Sequence, residues 1–188
     1  MADVRNLVLL LIFPVAMAFP SGAPAGACSH MTPGHRDNGT IISPQSGASP
    51  YTVSTDAATY SLSGTVTVSV TGADFRGILL QARRDDDSVV GTFSSPPMNT
   101  KLLQCSNADD SVTHSSQDPK SDGTSFTWTA PDSDVGAVKF TATLLQEYEI
   151  FWVGLESQAL QASGAPWNSV NSGLLAGLLL AAAYLMRQ

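Results

Sequence analysis

The chain has 188 residues, with nine basic against sixteen acidic side chains, a formal charge of −7 and 43% hydrophobic residues. That length suits one domain of ordinary size. The acidity excludes a nucleic-acid partner, which needs clustered Lys and Arg, and also excludes attack on anionic membranes by a cationic amphipathic helix.

Met1 to Ala18 reads as a signal peptide: Arg5 is a short positive region, LVLLLIFPVAMA an apolar one, and Ala16-Met17-Ala18 a small-x-small cleavage site. An uncleaved anchor is the alternative, and Pro14 argues against it. The exported chain is expected to begin at Phe19. From Phe19 to Pro50, GAPAGAC, TPGHRDNG and SPQSGASP cluster turn-forming residues and predict an irregular lead-in. Within it Asn38-Gly39-Thr40 is an N-glycosylation acceptor, and Gly39 predicts an exposed turn there, although many such acceptors stay unused.

Beyond Pro50 the signals are those of strands. TVTVSV (Thr65 to Val70) alternates valines with hydroxyl residues, the pattern of a half-buried strand. Phe75 to Arg84, a turn at Asp85-Asp86-Asp87, and Ser88 to Phe93 read as a hairpin. Ser125 to Ala130 places Phe126 and Trp128 inward and stops at Pro131, Gly136 to Gln146 is a long strand, and Tyr148 to Leu155 is a last one. With no helical periodicity of useful length, the pattern predicts an all-β antiparallel sandwich of about seven to nine strands.

At the other end Ser163, Gly164 and Ala165 are a small triplet, residues 166–173 a polar spacer, and Leu174 to Met186 an apolar tail. That order matches a glycolipid-anchor signal with Ser163 as candidate attachment site. The tail is short of the roughly 20 apolar residues that span a bilayer. A marginal transmembrane helix and a terminal helix packed on the domain are the alternatives. The predicted organisation is a signal peptide at 1–18, a domain at 19–163 (lead-in 19–50, sandwich 51–160), and a spacer and tail at 164–188. The domain carries seven basic and fifteen acidic residues.

Cys28 and Cys105 are the two cysteines, both in the exported part, where thiols pair. One disulfide between them is predicted, with two free thiols or an intermolecular bridge as alternatives. Two cysteines make no zinc site alone, and His30, His35 and His114 lack the spacings that mark one. No metal and no cofactor is expected. The Asp85 to Asp87 run and the Asp132/Asp134 pair read as solvated turns, since calcium loops need spaced oxygen ligands. His114 beside Ser115 and Ser116 is the one cluster that suggests catalysis. No G-x-S-x-G elbow or H-E-x-x-H pair accompanies it, neighbouring strand residues point to opposite faces, and a surface THSS loop explains it equally well. The chain is expected not to be an enzyme.

Several segments together resemble the reeler (reelin-type) domain family. They are FPSGAP with Cys28, SPYTV at Ser49 to Val53, FRGILLQAR at Phe75 to Arg83, GTF at Gly91 to Phe93, Cys105, THSS at Thr113 to Ser116, FTWTAP at Phe126 to Pro131, and VKFTATLLQEYEIFW at Val138 to Trp152. The likeness is nearest to the small single-domain invertebrate proteins called "putative defense proteins". It implies an immunoglobulin-like β-sandwich and a disulfide whose positions match Cys28 and Cys105. A second disulfide found in some members has no cysteines here. The haem-carrying helices of ferric-chelate reductase relatives have no counterpart in this sequence, so the resemblance carries no reductase activity. The expected role is non-enzymatic recognition in innate defence, held at the cell surface or secreted, with adhesion or matrix binding as the alternative. The expected partner is an extracellular ligand, either a microbial surface component or a host cell or matrix protein, and membrane contact is expected only through the C-terminal tail or its lipid replacement. Tyr148, Phe151 and Trp152 are candidates for a binding edge, although aromatics on strands more often pack inside.

Overall fold

The computed structural model describes residues 19–164. The signal-peptide and apolar-tail readings lie outside the described residues, among which no helix is long and apolar enough to cross a membrane. The lead-in contains a 3-10 turn at Ala25–Ala27 and a hairpin of β1 (Arg36–Asp37) and β2 (Thr40–Ile41). Asn38 and Gly39 close that hairpin with φ of 47° and 85°. Positive φ at both positions is the type I′ geometry that Asn-Gly favours.

There follow β3 (Thr52–Thr55), β4 (Thr59–Tyr60), β5 (Thr65–Thr71), β6 (Gly77–Arg83), β7 (Thr92–Ser94), β8 (Thr100–Leu103) and β9 (Ser111–His114). The chain continues through β10 (Thr124–Thr129), β11 (Lys139–Leu145), β12 (Phe151–Glu156) and β13 (Gln161–Ala162). Nine of these strands build two antiparallel sheets, in the orders β3-β5-β10-β7 and β12-β11-β6-β9-β8. The pair β13–β4 is parallel and lies outside both sheets.

The core lies between the sheets, and the predicted alternation fills it. Val66, Val68 and Val70 of β5 and Phe126 and Trp128 of β10 are buried against Ile78, Leu80, Phe140 and Leu144 of the facing sheet. Trp128 meets Phe140 and Tyr60 edge-on at centroid distances of 5.3 and 6.0 Å, and its indole N–H donates to the Val90 carbonyl at 3.0 Å. Burying a ring of that size stabilises the fold by on the order of 4 to 6 kcal/mol before entropy is counted.

Two expectations change here. The hairpin predicted between Phe75–Arg84 and Ser88–Phe93 closes only next to its turn, through an isolated bridge between Arg83 and Val89. At Gly91 the chain crosses to the other sheet, and Phe93 pairs with Trp128. Gly91 has φ of 68° and lies so close to the indole that a Cβ would stand 2.4 Å from the ring, so the crossing needs glycine. The THSS segment is a surface loop only in its second half: Thr113 and His114 are buried at the end of β9, beside β6, whereas Ser115 is exposed and Ser116 half-buried beyond it.

Strand β6 is buried on both faces. Its inward residues reach the core, and its outward residues Leu79, Gln81 and Arg83 lie beneath the lead-in. Leu79 packs with Ala27 and Met31. The Arg83 guanidinium donates to the Cys28 and Ser29 carbonyls and to Gln81 Oε1, and Gln81 Nε2 donates to Ser111 Oγ at 3.1 Å. The disulfide Cys28–Cys105, with Cα atoms 5.7 Å apart, fastens the lead-in to the connection between β8 and β9.

Candidate functional site

The lead-in does not seal the sheet completely. Between it and β6, β9 and β11 lies a cavity of about 340 Å³, within the size range of small-molecule sites. Ala23, Ala27, Met31, Leu79 and Leu145 give it apolar walls. Thr113 and Thr143 hold the roof to the sheet: the Ala23 N–H donates to Thr113 Oγ1 at 2.8 Å, and Thr143 Oγ1 donates to the Met31 carbonyl. Strand pairing leaves no backbone donor free for such cross-links, so hydroxyl side chains supply them.

Polar groups collect at the rim. Arg76 and Glu147 pair at 3.0 Å with both side chains substantially exposed, an arrangement worth little to stability. His35 stacks on Tyr148 with centroids 4.1 Å apart and donates through Nδ1 to the Tyr148 carbonyl at 2.6 Å. Burial lowers the His35 pKa from its ordinary value, and the hydrogen bond to Tyr148 opposes this in part. His114 is more deeply placed. Its Nε2 donates to the Phe19 carbonyl at 3.1 Å, and its Nδ1 lies 3.4 Å from both the Ile78 carbonyl and the Ile78 N–H. Burial lowers its pKa, the Phe19 and Ile78 hydrogen bonds oppose the shift, and the Lys120 and Lys101 charges reinforce it.

Lys120 itself is buried, with its ammonium donating to the carbonyls of Arg76, Ser116 and Asp118 at 2.6, 2.6 and 2.9 Å. Desolvation pushes its pKa down to about 8, against the attraction of Asp118 and with a smaller push from Arg76. It fixes the loop beside the cavity by filling a nest of carbonyls.

The residues singled out in the sequence separate in space. Tyr148 lines the cavity, Trp152 is half-buried with its indole N–H on the Gly47 carbonyl at 3.3 Å, and Phe151 is fully buried and so cannot belong to a binding edge. Asn38 stands exposed at the hairpin tip, away from the cavity lining. Ser163 is exposed just after β13, its Oγ donating to the Tyr60 carbonyl at 3.1 Å. His114 has no serine partner: Ser116 Oγ donates to Asp118 at 2.9 Å instead. His30 and His35 come to the cavity from the lead-in.

The aspartate run is engaged locally. Asp86 accepts from the Ser88 N–H at 3.1 Å and pairs with Arg84, and Asp87 pairs with Arg83 at 3.4 Å. Asp134 accepts from the Gly136 N–H at 2.8 Å. Among the described residues no three His, Cys, Asp or Glu side chains converge as metal ligands do. The site's chemistry is therefore that of a pocket with an apolar interior and a polar mouth that carries the Arg76–Glu147 pair and three histidines.

An immunoglobulin-like sandwich with one sheet roofed by its own N-terminal segment defines the structural class. The chain belongs to the Reeler domain family, whose model matches residues 26–167. It is 40% identical over 144 residues to "Putative defense protein 3" of Antheraea mylitta, covering 74% of this chain and 84% of that protein. With "Putative defense protein Hdd11" of Hyphantria cunea the identity is 37% over 150 residues, covering 76% and 87%. "Putative ferric-chelate reductase 1" of Danio rerio is 35% identical over 84% of this chain, but the match takes in only 28% of that longer protein. Among solved structures the reeler domain of human F-spondin shares the fold, with a TM-score of 0.52, 22% identity, and coverage of 64% of this chain and 93% of that one.

The cavity had no distinct signal in the sequence. Its walls come from three strands and a lead-in that composition marks only as irregular. The one hint is FRGILLQAR, a run with apolar residues at successive positions, as a strand buried on both faces requires.

Proposed function

We propose that this chain is a non-enzymatic extracellular recognition protein of innate defence, and that the cavity beneath the lead-in is where it takes its ligand. The roofed apolar cavity carries this reading, because a sheet face covered only for stability would be packed without space for a small molecule. The names of the defense-protein relatives support the defence role. The absence of a paired nucleophile and base around His114 supports a binding role over catalysis. Export, N-glycosylation at Asn38 and lipid anchoring at Ser163 complete the proposal. A peptide N-glycosidase shift lost in Asn38→Gln tests the second, and release from intact cells by a phosphatidylinositol-specific phospholipase tests the third.

The functional test is capture. The full chain, expressed and purified from animal cells, is incubated with bacterial cells, fungal cells and extracellular matrix, beside a Leu79→Trp variant that fills the cavity. Capture by microbial cells that falls sharply in Leu79→Trp is expected. Capture by matrix alone, or microbial capture indifferent to the substitution, overturns the reading in favour of adhesion or another surface.

A further inference from the structure

We propose that signal-peptide cleavage completes the cavity: the new α-ammonium of Phe19 stands at its rim as counter-charge for the head of an anionic, single-chain amphiphile such as a long-chain carboxylate. This rests on reading the cavity as a ligand site. Phe19 lines the cavity, and its backbone is fixed there by two hydrogen bonds to its carbonyl, from His114 Nε2 at 3.1 Å and from the Gly22 N–H at 3.3 Å. The Phe19 nitrogen is two bonds from that carbonyl carbon, so it stays within about 2.5 Å of the pinned group.

Cleavage at the Ala16-Met17-Ala18 motif adds water across the Ala18–Phe19 amide. The C–N bond breaks, Ala18 leaves as a carboxylate, and the Phe19 nitrogen keeps the electron pair and is protonated to an ammonium. Before cleavage that atom is an uncharged amide. The charge is created at one defined position on the rim.

The surroundings favour an anion there. Among the described residues lining the cavity, the charged side chains are Arg76 and Glu147, and they neutralise each other at 3.0 Å. Lys101 and Lys120 both act on His114, the residue that holds Phe19, and Asp118 is the acidic side chain that acts on Lys120. The walls beyond it are apolar and suit an alkyl chain. A ligand with a hydrocarbon tail and an anionic head satisfies both parts of the site.

The test compares two chains in which the α-ammonium stands on Phe19 or is moved two residues away from it. The full coding sequence is expressed in animal cells, with and without Ser-Gly inserted between Ala18 and Phe19, and N-terminal sequencing identifies the first residue of each product. Each is titrated calorimetrically with dodecanoate and with uncharged dodecan-1-ol. The expected result is a product beginning at Phe19 that prefers dodecanoate by about five- to tenfold, with the preference lost and dodecan-1-ol affinity kept in the inserted chain. Equal affinity for both ligands in the parent, a preference that survives the insertion, or a first residue other than Phe19 overturns the proposal and leaves the cavity standing. Binding of neither ligand overturns the cavity reading along with it.

Discussion

The four-stranded sheet turns Thr65, Thr67, Ser69, Thr127 and Thr129 outward on β5 and β10, exposed or half-buried, whereas the five-stranded sheet turns Leu79, Gln81, Arg83 and Thr143 outward and buries them. Both sheets bury the greater part of their inner faces, with Leu102 and Leu155 of the five-stranded sheet only partly covered. The difference lies in what covers the outside: water on one sheet, the disulfide-pinned lead-in on the other. An open outer face tolerates substitution and offers no enclosed space. A covered one couples its stability to the cover, and where the cover stands off it creates a site.

The disulfide should separate the two faces most strongly. Replacing Cys28 and Cys105 together by serine opens a loop of 77 residues and is expected to cost about 4 to 5 kcal/mol on the chain-entropy model, measured by denaturant unfolding. The loss should fall on the roof first, so hydrogen exchange should show β6 and β9 amides losing protection before those of β5 and β10. Simultaneous loss in both sheets would mean that the lead-in is not a separable cover.

Next come the outward residues themselves. Leu79→Ala should cost about 2 to 4 kcal/mol, as for a core leucine, although it lies on the outer side of its sheet. Lys120→Met, which leaves three carbonyls without their shared donor, should cost about 1 to 3 kcal/mol. Thr127→Ala on the open face should stay within about 0.5 kcal/mol. Thermal unfolding of the three variants checks the order, and a Thr127 effect as large as that of Leu79 would erase the contrast.

Acid should act on the covered side. The His35 and His114 pKa values are held below the unfolded value by burial, so below about pH 6.5 the unfolded chain binds more protons than the folded one. The stability from their neutral forms is present in full above that pH and falls as pH drops through the lowered folded values. His114 faces Lys120, Lys101 and the Phe19 and Ile78 carbonyls, and His35 faces Tyr148 and Phe151. The charges around His114 are cationic, which keeps the sign. A His35→Phe/His114→Gln pair should flatten the pH dependence of unfolding between pH 5 and 7; an unchanged slope would place the acid sensitivity elsewhere.

The open sheet was readable in the sequence because its strands alternate: TVTVSV and FTWT each announce one wet and one dry face. The disulfide followed from two cysteines in a chain whose sequence reads as exported. β9 escaped because Ser111, Thr113 and His114 read as the polar residues of an exposed segment, and their burial follows from pairing with β6 and β8. The crossing at Gly91 escaped because the choice between hairpin and sheet change depends on Trp128, 37 residues away in the chain. The cavity was illegible for the same reason, since an irregular segment's resting place is set by partners such as Thr113, Thr143 and Arg83 and by no period of its own.

The most direct test of the account is the binding of dodecan-1-ol to the full chain and to Leu79→Trp, followed by calorimetry with unfolding temperatures measured alongside. One molecule bound per chain, lost in a Leu79→Trp protein that still unfolds cooperatively, is the predicted result. Absence of binding in the parent chain, or binding that the folded variant retains, would contradict the claim that the lead-in roofs a ligand site.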